Sequence, residues 1–294
     1  MELLAEIIQQ MIFGIVIGCI YALIALCFVL IYQATKVINF AQGEMAVLST
    51  FISYTLVVTC QWPYWLVFIS SFILSFIIGM ITEKLAFRGL IGAPHLNALM
   101  VAVAVGMVFR NATGHIWTFD DVRMPPPFSD QVFTLPLGLV VSPLFLGIIC
   151  ISVAVVVVLF LFLNKTKAGL AIRATSQNPR AASLMGVPVT RVFSISWGLS
   201  SGIGAIAGIL IAPLLVLNVG MFIIILKAIV AAVLGGFGSL PGAIVGGVLL
   251  GIMENLIGTY LPGWVKHMFV WTILLVVIIV LPQGLLGTRR SKRV

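Results

Sequence analysis

Charge is what this sequence has least of. Only 8% of the 294 residues are charged, 16 basic and 8 acidic, against 62% hydrophobic. A soluble domain carries roughly 25% charged residues, so an ordinary aqueous surface cannot be built from this chain. Cysteine is scarce as well. Cys19, Cys27, Cys60 and Cys150 lie in or at the edge of apolar runs, without metal-ligand spacing. They read as small hydrophobes in helix packing and leave the redox compartment open. The opening "MELLAEIIQQ" holds Glu2 and Glu6 but no Lys or Arg. A secretory signal would begin with basic residues, so the first spanning helix is expected to do the targeting. No G-x-x-x-x-G-K-[ST] phosphate loop occurs, because "GGFGSLPG" lacks the Lys that reaches the β- and γ-phosphates. Any use of ATP therefore calls for another chain. No metal cluster, His–Glu helix pairing or nucleophile set is found, which argues against a membrane-embedded enzyme. The net charge of +8 does not point to nucleic acid, because the basic residues sit between apolar spans.

What is abundant is apolar runs of bilayer length. "LFLGIICISVAVVVVLFLFL", 144–163, has no charge at all and reaches the roughly 20 residues that cross a bilayer core. The fold class is an all-α polytopic membrane bundle of about 8–10 spans, some broken or re-entrant, read as one transmembrane domain over 1–294. Candidate spans fall at 11–32, 42–59, 64–82, 96–112, 144–163, 192–216, 221–236, 240–258 and 266–281. The connections divide by charge. Loop 164–191 holds Lys165, Lys167, Arg173, Arg180 and Arg191. The tail holds Arg289, Arg290, Lys292 and Arg293, Lys84 and Arg88 share another loop, and Lys36 follows the first span. The positive-inside rule makes that side cytoplasmic. The other side receives Glu2, Glu6, Asp120, Asp121 and Asp130, with Arg123, Lys266 and the external loop 113–142, whose Pro triplet keeps it non-helical. The N-terminus is thus expected outside and the C-terminus inside.

Two stretches interrupt the apolar sequence. "NFAQGEM", 39–45, brings Asn39, Phe40, Gln42, Gly43 and Glu44; "GGFGSLPGA", 235–243, brings Gly235, Gly236, Gly238 and Pro241. Irregular backbone at membrane depth is tolerated where protein buries it or where it lines a wet cavity. Paired interruptions are a pointer to a transport path, so these residues are candidates for a translocation pathway or gate. Ionisable residues inside spans are costly and usually functional, and Glu44, Arg110, Lys227 and Glu254 qualify. Glu44 suits a gate or a structural salt bridge. Arg110 and Lys227 read as long stems snorkelling to an interface. Glu254, with Asn255, suggests a buried polar network that pairs Lys227. His95, His115 and His267 read as lone interfacial histidines. Glycines four apart (198/202, 204/208, 238/242/246, 247/251) let helix backbones approach closely. Tight packing within the chain is the plain reading, and a pore-facing or dimer-facing role the other.

The segment "RATSQNPRAASLMGVPVTR", 173–191, is polar and basic amid this. Asn178 suits a helix cap, Pro179 its first position and Gly186 the residue past its end. About two turns of helix follow, with Ala181, Leu184 and Met185 on one face and Arg180 and Ser183 off it. Such a helix fits insertion into a partner's groove; an interfacial helix on lipid headgroups is the alternative.

The segment resembles the "EAA…G" coupling loop of ABC importer permeases, here "RAASLMG", with Arg180 where the acid usually stands. More closely, the chain resembles the permeases of the branched-chain amino acid ABC transporter family. The matching stretches are "YALIALCFVLIYQATKVINFAQGEM", "KAGLAIRATSQNPRAASLMGV", "LKAIVAAVLGGFGSLPGAIVGGVLLGIMENL" and "LPQGLLG". It is similar to the shorter of that family's two permease subunits. Gln42 departs from it, since many relatives have His in "NFAHGE". The resemblance implies a coupling role for Asn178, Pro179, Arg180, Ala181, Ala182, Leu184, Met185 and Gly186. It implies an inner-membrane importer of leucine, isoleucine and valine with a second permease (a copy of this chain or another), two cytoplasmic ATPases and a periplasmic binding protein. ATP and Mg would be held by the ATPases and no cofactor by this chain. Rivals are a permease for urea or short amides, and an ion-driven secondary transporter using Glu44 or Glu254 as its coupling carboxylate.

Overall fold

The structure, a computed structural model, describes residues 2–90, 92–128, 132–135 and 139–287. Asp130 and the basic tail lie outside the described residues, as do the side chains of Glu2, His95 and His267. The chain runs α1 (Glu2–Thr35), α2 (Gln42–Tyr54), α3 (Tyr64–Thr82), α4 (His95–Ile116), a short hairpin of β1 (Phe133–Leu135) and β2 (Leu139–Val141), then α5 (Pro143–Lys165), α6 (Lys167–Gln177), α7 (Pro179–Leu184), α8 (Val189–Ile211), α9 (Phe222–Gly235), α10 (Leu240–Tyr260) and α11 (Gly263–Val280). A π-helical turn, Thr55–Thr59, prolongs α2, and another, Glu83–Phe87, prolongs α3.

Every candidate span coincides with a helix over most of its length, although 192–216 overruns α8, which ends at Ile211. Among the described residues, seven helical stretches are long and apolar enough to cross a membrane: Ala5–Thr35, Tyr64–Leu90, Leu96–Ile116, Pro143–Lys165, Val189–Ile211, Leu240–Tyr260 and Gly263–Val280. The chain is a multi-pass membrane protein. The two remaining candidates, 42–59 and 221–236, fall on shorter helices, α2 of 13 residues and α9 of 14. Each adjoins one of the interrupted stretches, because the polar and glycine residues there end one helix and begin another. Loop 164–191 is more ordered than expected. Thr166 caps α6 by accepting from the Gly169 amide at 3.0 Å, and Gly169, Ile172 and Thr175 form its buried stripe. Within 113–142, α4 continues to Ile116, and the β1–β2 hairpin pairs Phe133 with Val141.

The chain divides into two compact units. The first comprises Met1–Val29, Pro126–Val153 and Leu226–Val294. Its seam joins α1 to α10 through facing glycines. A Cβ on Gly14 would stand 2.6 Å from the Ile252 Cα, one on Gly18 2.8 Å from the Val248 Cα, and one on Gly247 2.5 Å from the Ala22 Cα. No side chain fits there, so the backbones touch, which is how helices associate where lipid provides no hydrophobic drive. The second unit comprises Leu30–Pro125 and Ala154–Ile225. Here α8 packs on α3 and α2, and α2 on α4. Gly198 and Gly202 of α8 receive Phe76 and Phe72 of α3, while Gly204 and Gly208 face Gln42 and Thr50 of α2. The glycines of α8 therefore serve packing within the chain.

Candidate functional site

The first interruption is a tight turn. α1 ends at Thr35, and Lys36 takes a left-handed φ of 59°. Asn39 is fully buried and its Oδ1 accepts from the Ala41 amide at 3.0 Å. That side-chain turn mimics a backbone turn and redirects the chain into α2. Phe40 packs beside the core of Ile31, Met45, Phe87, Ala102 and Trp197. Gln42 opens α2 and is locked to α8: its Nε2 donates to the Ser200 carbonyl at 3.3 Å, and the Ser200 hydroxyl donates to its Oε1 at 3.1 Å. Gly43 lies under Phe222, where a Cβ would make ordinary contact at 3.6 Å.

Glu44 follows on the first turn of α2, only 6% exposed. Its Oε2 has no hydrogen-bond partner. A buried unpartnered polar oxygen is expensive, and the salt bridge allowed for from the sequence is not formed. Arg110 of α4, half-buried, instead lays its guanidinium over the Phe222 ring, 4.6 Å from the centroid.

The second interruption is a helix–turn–helix. α9 ends at Gly235. Gly236 has φ +109°, and a Cβ there would come 2.7 Å from the Gln283 carbonyl oxygen and 2.8 Å from the Gly287 nitrogen. The "LPQGLLG" segment docks on it: the Leu285 amide donates to the Leu234 carbonyl at 2.8 Å and the Leu286 amide to that of Gly235 at 3.0 Å. Gly238 is exposed, with open space around its Cβ position. Ser239 then caps α10 by accepting from the Gly242 amide at 3.1 Å, with Pro241 on the first turn.

Lys227 corrects the snorkelling reading. Its side chain is 5% exposed, and its Nζ donates to Glu254 Oε1 at 2.5 Å. Tyr21 donates to the other oxygen, Oε2, at 2.7 Å, and Lys266 approaches Oε1 at 4.0 Å. Lys227 lies in the middle of α9 and Glu254 on α10, so the buried network anticipated around Glu254 exists, although Asn255 turns away to bond Gln10 at 2.8 Å. Both Glu254 oxygens are engaged, which leaves it poorly suited to coupling an ion.

α7 has the expected ends. Asn178 Oδ1 accepts from the Ala181 amide at 3.0 Å, Pro179 occupies the first helical position and Gly186 has φ +82°. Ala182 is buried against the protein, and Arg180 and Ala181 are exposed. Leu184 and Met185 are 89% and 85% exposed. Two large apolar side chains stand outward at the end of a short, capped, polar-flanked helix.

Sequence reasoning missed three contributors. Tyr21 gave no signal, being one aromatic in an apolar run. Ser200 gave none either. Glu83 was hidden by placing the end of α3 at residue 82. It is buried and accepts from Arg88 Nη2 at 2.8 Å and from the Ser194 hydroxyl at 2.6 Å. The Glu83–Arg88 spacing of five residues fits the π-helical turn between them and would have been the usable clue.

A family model described as "Branched-chain amino acid transport system / permease component" matches residues 10–279. The high-affinity branched-chain amino acid transport system permease protein LivH of Salmonella typhimurium is 30% identical over 98% of this chain and 97% of its own length. The corresponding protein BraD of Pseudomonas aeruginosa is 28% identical over 98% of each chain. A probable branched-chain amino acid transport permease protein LivH of Methanocaldococcus jannaschii is 30% identical over 99% of this chain and 96% of its own.

Proposed function

The chain belongs to the family of permease components of branched-chain amino acid transport systems, and we propose that it is the membrane subunit of an ATP-driven importer. In this reading it carries leucine, isoleucine and valine inward across a bacterial inner membrane by alternating access. It pairs with a second permease subunit, receives its cargo from a periplasmic binding protein and is driven by two cytoplasmic ATPases that hold ATP and Mg. The N-terminus lies outside and the C-terminus inside, with loop 164–191 cytoplasmic, because the basic connections then share one side.

The observation that carries the reading is α7. An exposed Leu184–Met185 pair on a capped helix, flanked by basic residues and outside every span, has the form of an anchor for a hydrophobic groove. ATPase closure transmitted through such an anchor gives the chain its drive. The interruptions at 39–45 and 235–243 supply places where helices change direction inside the apolar region, as a gated path requires.

Gentle solubilisation of the tagged chain, followed by identification of what co-purifies, tests it. An ATPase should be recovered, and Leu184→Asp with Met185→Asp should lose it at least tenfold while membrane insertion is unchanged. Equal recovery with the double variant would sink the assignment of α7.

A further inference from the structure

Three acids are buried among the described residues: Glu44, Glu83 and Glu254. Glu83 and Glu254 each accept from a cation and a hydroxyl. Glu44 is different, because its Oε2 is the one buried carboxylate oxygen in the described residues without a partner. A cation nevertheless stands close. Gly106 brings α4 against Glu44, and a Cβ on it would sit 3.6 Å from the Glu44 Cγ. Arg110 follows one helical turn later, on the same face as Gly106. Glu44 and Arg110 do not form an ion pair within 4.0 Å. Arg110 rests on the ring of Phe222, a residue whose Cβ and carbonyl oxygen lie beside Gly43.

An acid and a base held near each other but unjoined, in apolar surroundings, each retain capacity for an opposite charge. An α-amino acid brings both: an ammonium for Glu44 and a carboxylate for the planar fork of Arg110. Urea or a short amide brings neither and would leave both protein charges uncompensated, which is costly at low dielectric. We propose that Glu44 and Arg110 are a split pair that reads the zwitterion of the cargo, selecting α-amino acids over uncharged amides. This rests on the importer reading above and deepens it.

The test is equilibrium binding to the purified importer complex in lipid nanodiscs, without the binding protein. Three probes are used: leucine, 4-methylpentanoate, which lacks the ammonium, and 3-methylbutylamine, which lacks the carboxylate. Glu44→Gln should weaken leucine and the amine by about tenfold or more, as loss of a charged hydrogen bond does, and leave the carboxylate probe unchanged. Arg110→Gln should weaken leucine and the carboxylate probe and leave the amine unchanged. If a Gln variant does not assemble, Glu44→Asp or Arg110→Lys is read in the same scheme and should show the same probe pattern, reduced in size. Equal weakening of all three probes marks a structural role and overturns the proposal, as does unchanged leucine binding. A wild-type complex that binds short amides but no branched-chain amino acid overturns the importer reading for that cargo, and this assignment with it.

Discussion

Replacing Glu254 by Gln should be among the most damaging single substitutions in the chain. It leaves the Lys227 ammonium, 5% exposed, without its counter-charge at 2.5 Å. Removing one partner of a buried pair costs about 3–5 kcal/mol, because the remaining charge stays desolvated. Lys266, at 4.0 Å and 31% exposed, adds little, since solvent screens it. Tyr21→Phe removes one hydrogen bond to a charged group and should cost about 1.5–3 kcal/mol. Lys227→Met combined with Glu254→Gln should recover most of the loss, because replacing both partners of a buried pair is often near neutral. Denaturant titration of the purified protein in mild detergent, followed by tryptophan fluorescence, gives the four corners of the double-mutant cycle. A coupling of about 2 kcal/mol or more is expected for contacting residues. A single-substitution cost below about 1 kcal/mol, or an additive double variant, would refute the view that these residues act as one buried unit.

Gly18→Leu should separate α1 from α10, since a Cβ there already meets the Val248 Cα at 2.8 Å and its carbonyl oxygen at 2.9 Å. Folded yield by size exclusion should fall several-fold, whereas Gly238→Leu, with open space around it, should be recovered normally; equal yields would contradict the seam. Asn178→Ala should destabilise α7 by about 1 kcal/mol through loss of its cap, read as faster amide exchange at Ala181 and Ala182 with the spans unaffected. Unchanged exchange there would remove the cap from the account.

Much of this architecture was legible. The spans could be read because runs such as 144–163 have no charge, and α7 because Asn178, Pro179 and Gly186 each suit one position at a helix end. The buried network around Glu254 was foreseeable from the cost of a carboxylate in an apolar span, but Lys227 also read as a snorkelling stem, since its long side chain can reach an interface. The network's third member was not foreseeable, because nothing in the run around Tyr21 distinguishes a hydroxyl that reaches a carboxylate from one that faces lipid. The locking of Gln42 by Ser200 depends on how α2 crosses α8, which no local pattern encodes. Gly235 and Gly236 were read as a path; Gly235 meets the backbone of Gly242 in the next helix, while Gly236 meets that of Gln283 and Gly287, about fifty residues away in sequence. Glu44 stood out in the sequence as a charge after a break. That it lacks a partner could only be seen once Arg110 was found resting on Phe222.

The most direct test of the central claim is uptake of labelled leucine into proteoliposomes that hold this chain with the ATPases and second permease that co-purify with it, supplied with its binding protein. Accumulation that requires ATP on the ATPase side, and is lost when Leu184 and Met185 are both replaced by Asp, is the result the account predicts. Uptake by the chain alone, driven by an ion gradient and indifferent to ATP and to those two substitutions, would contradict it.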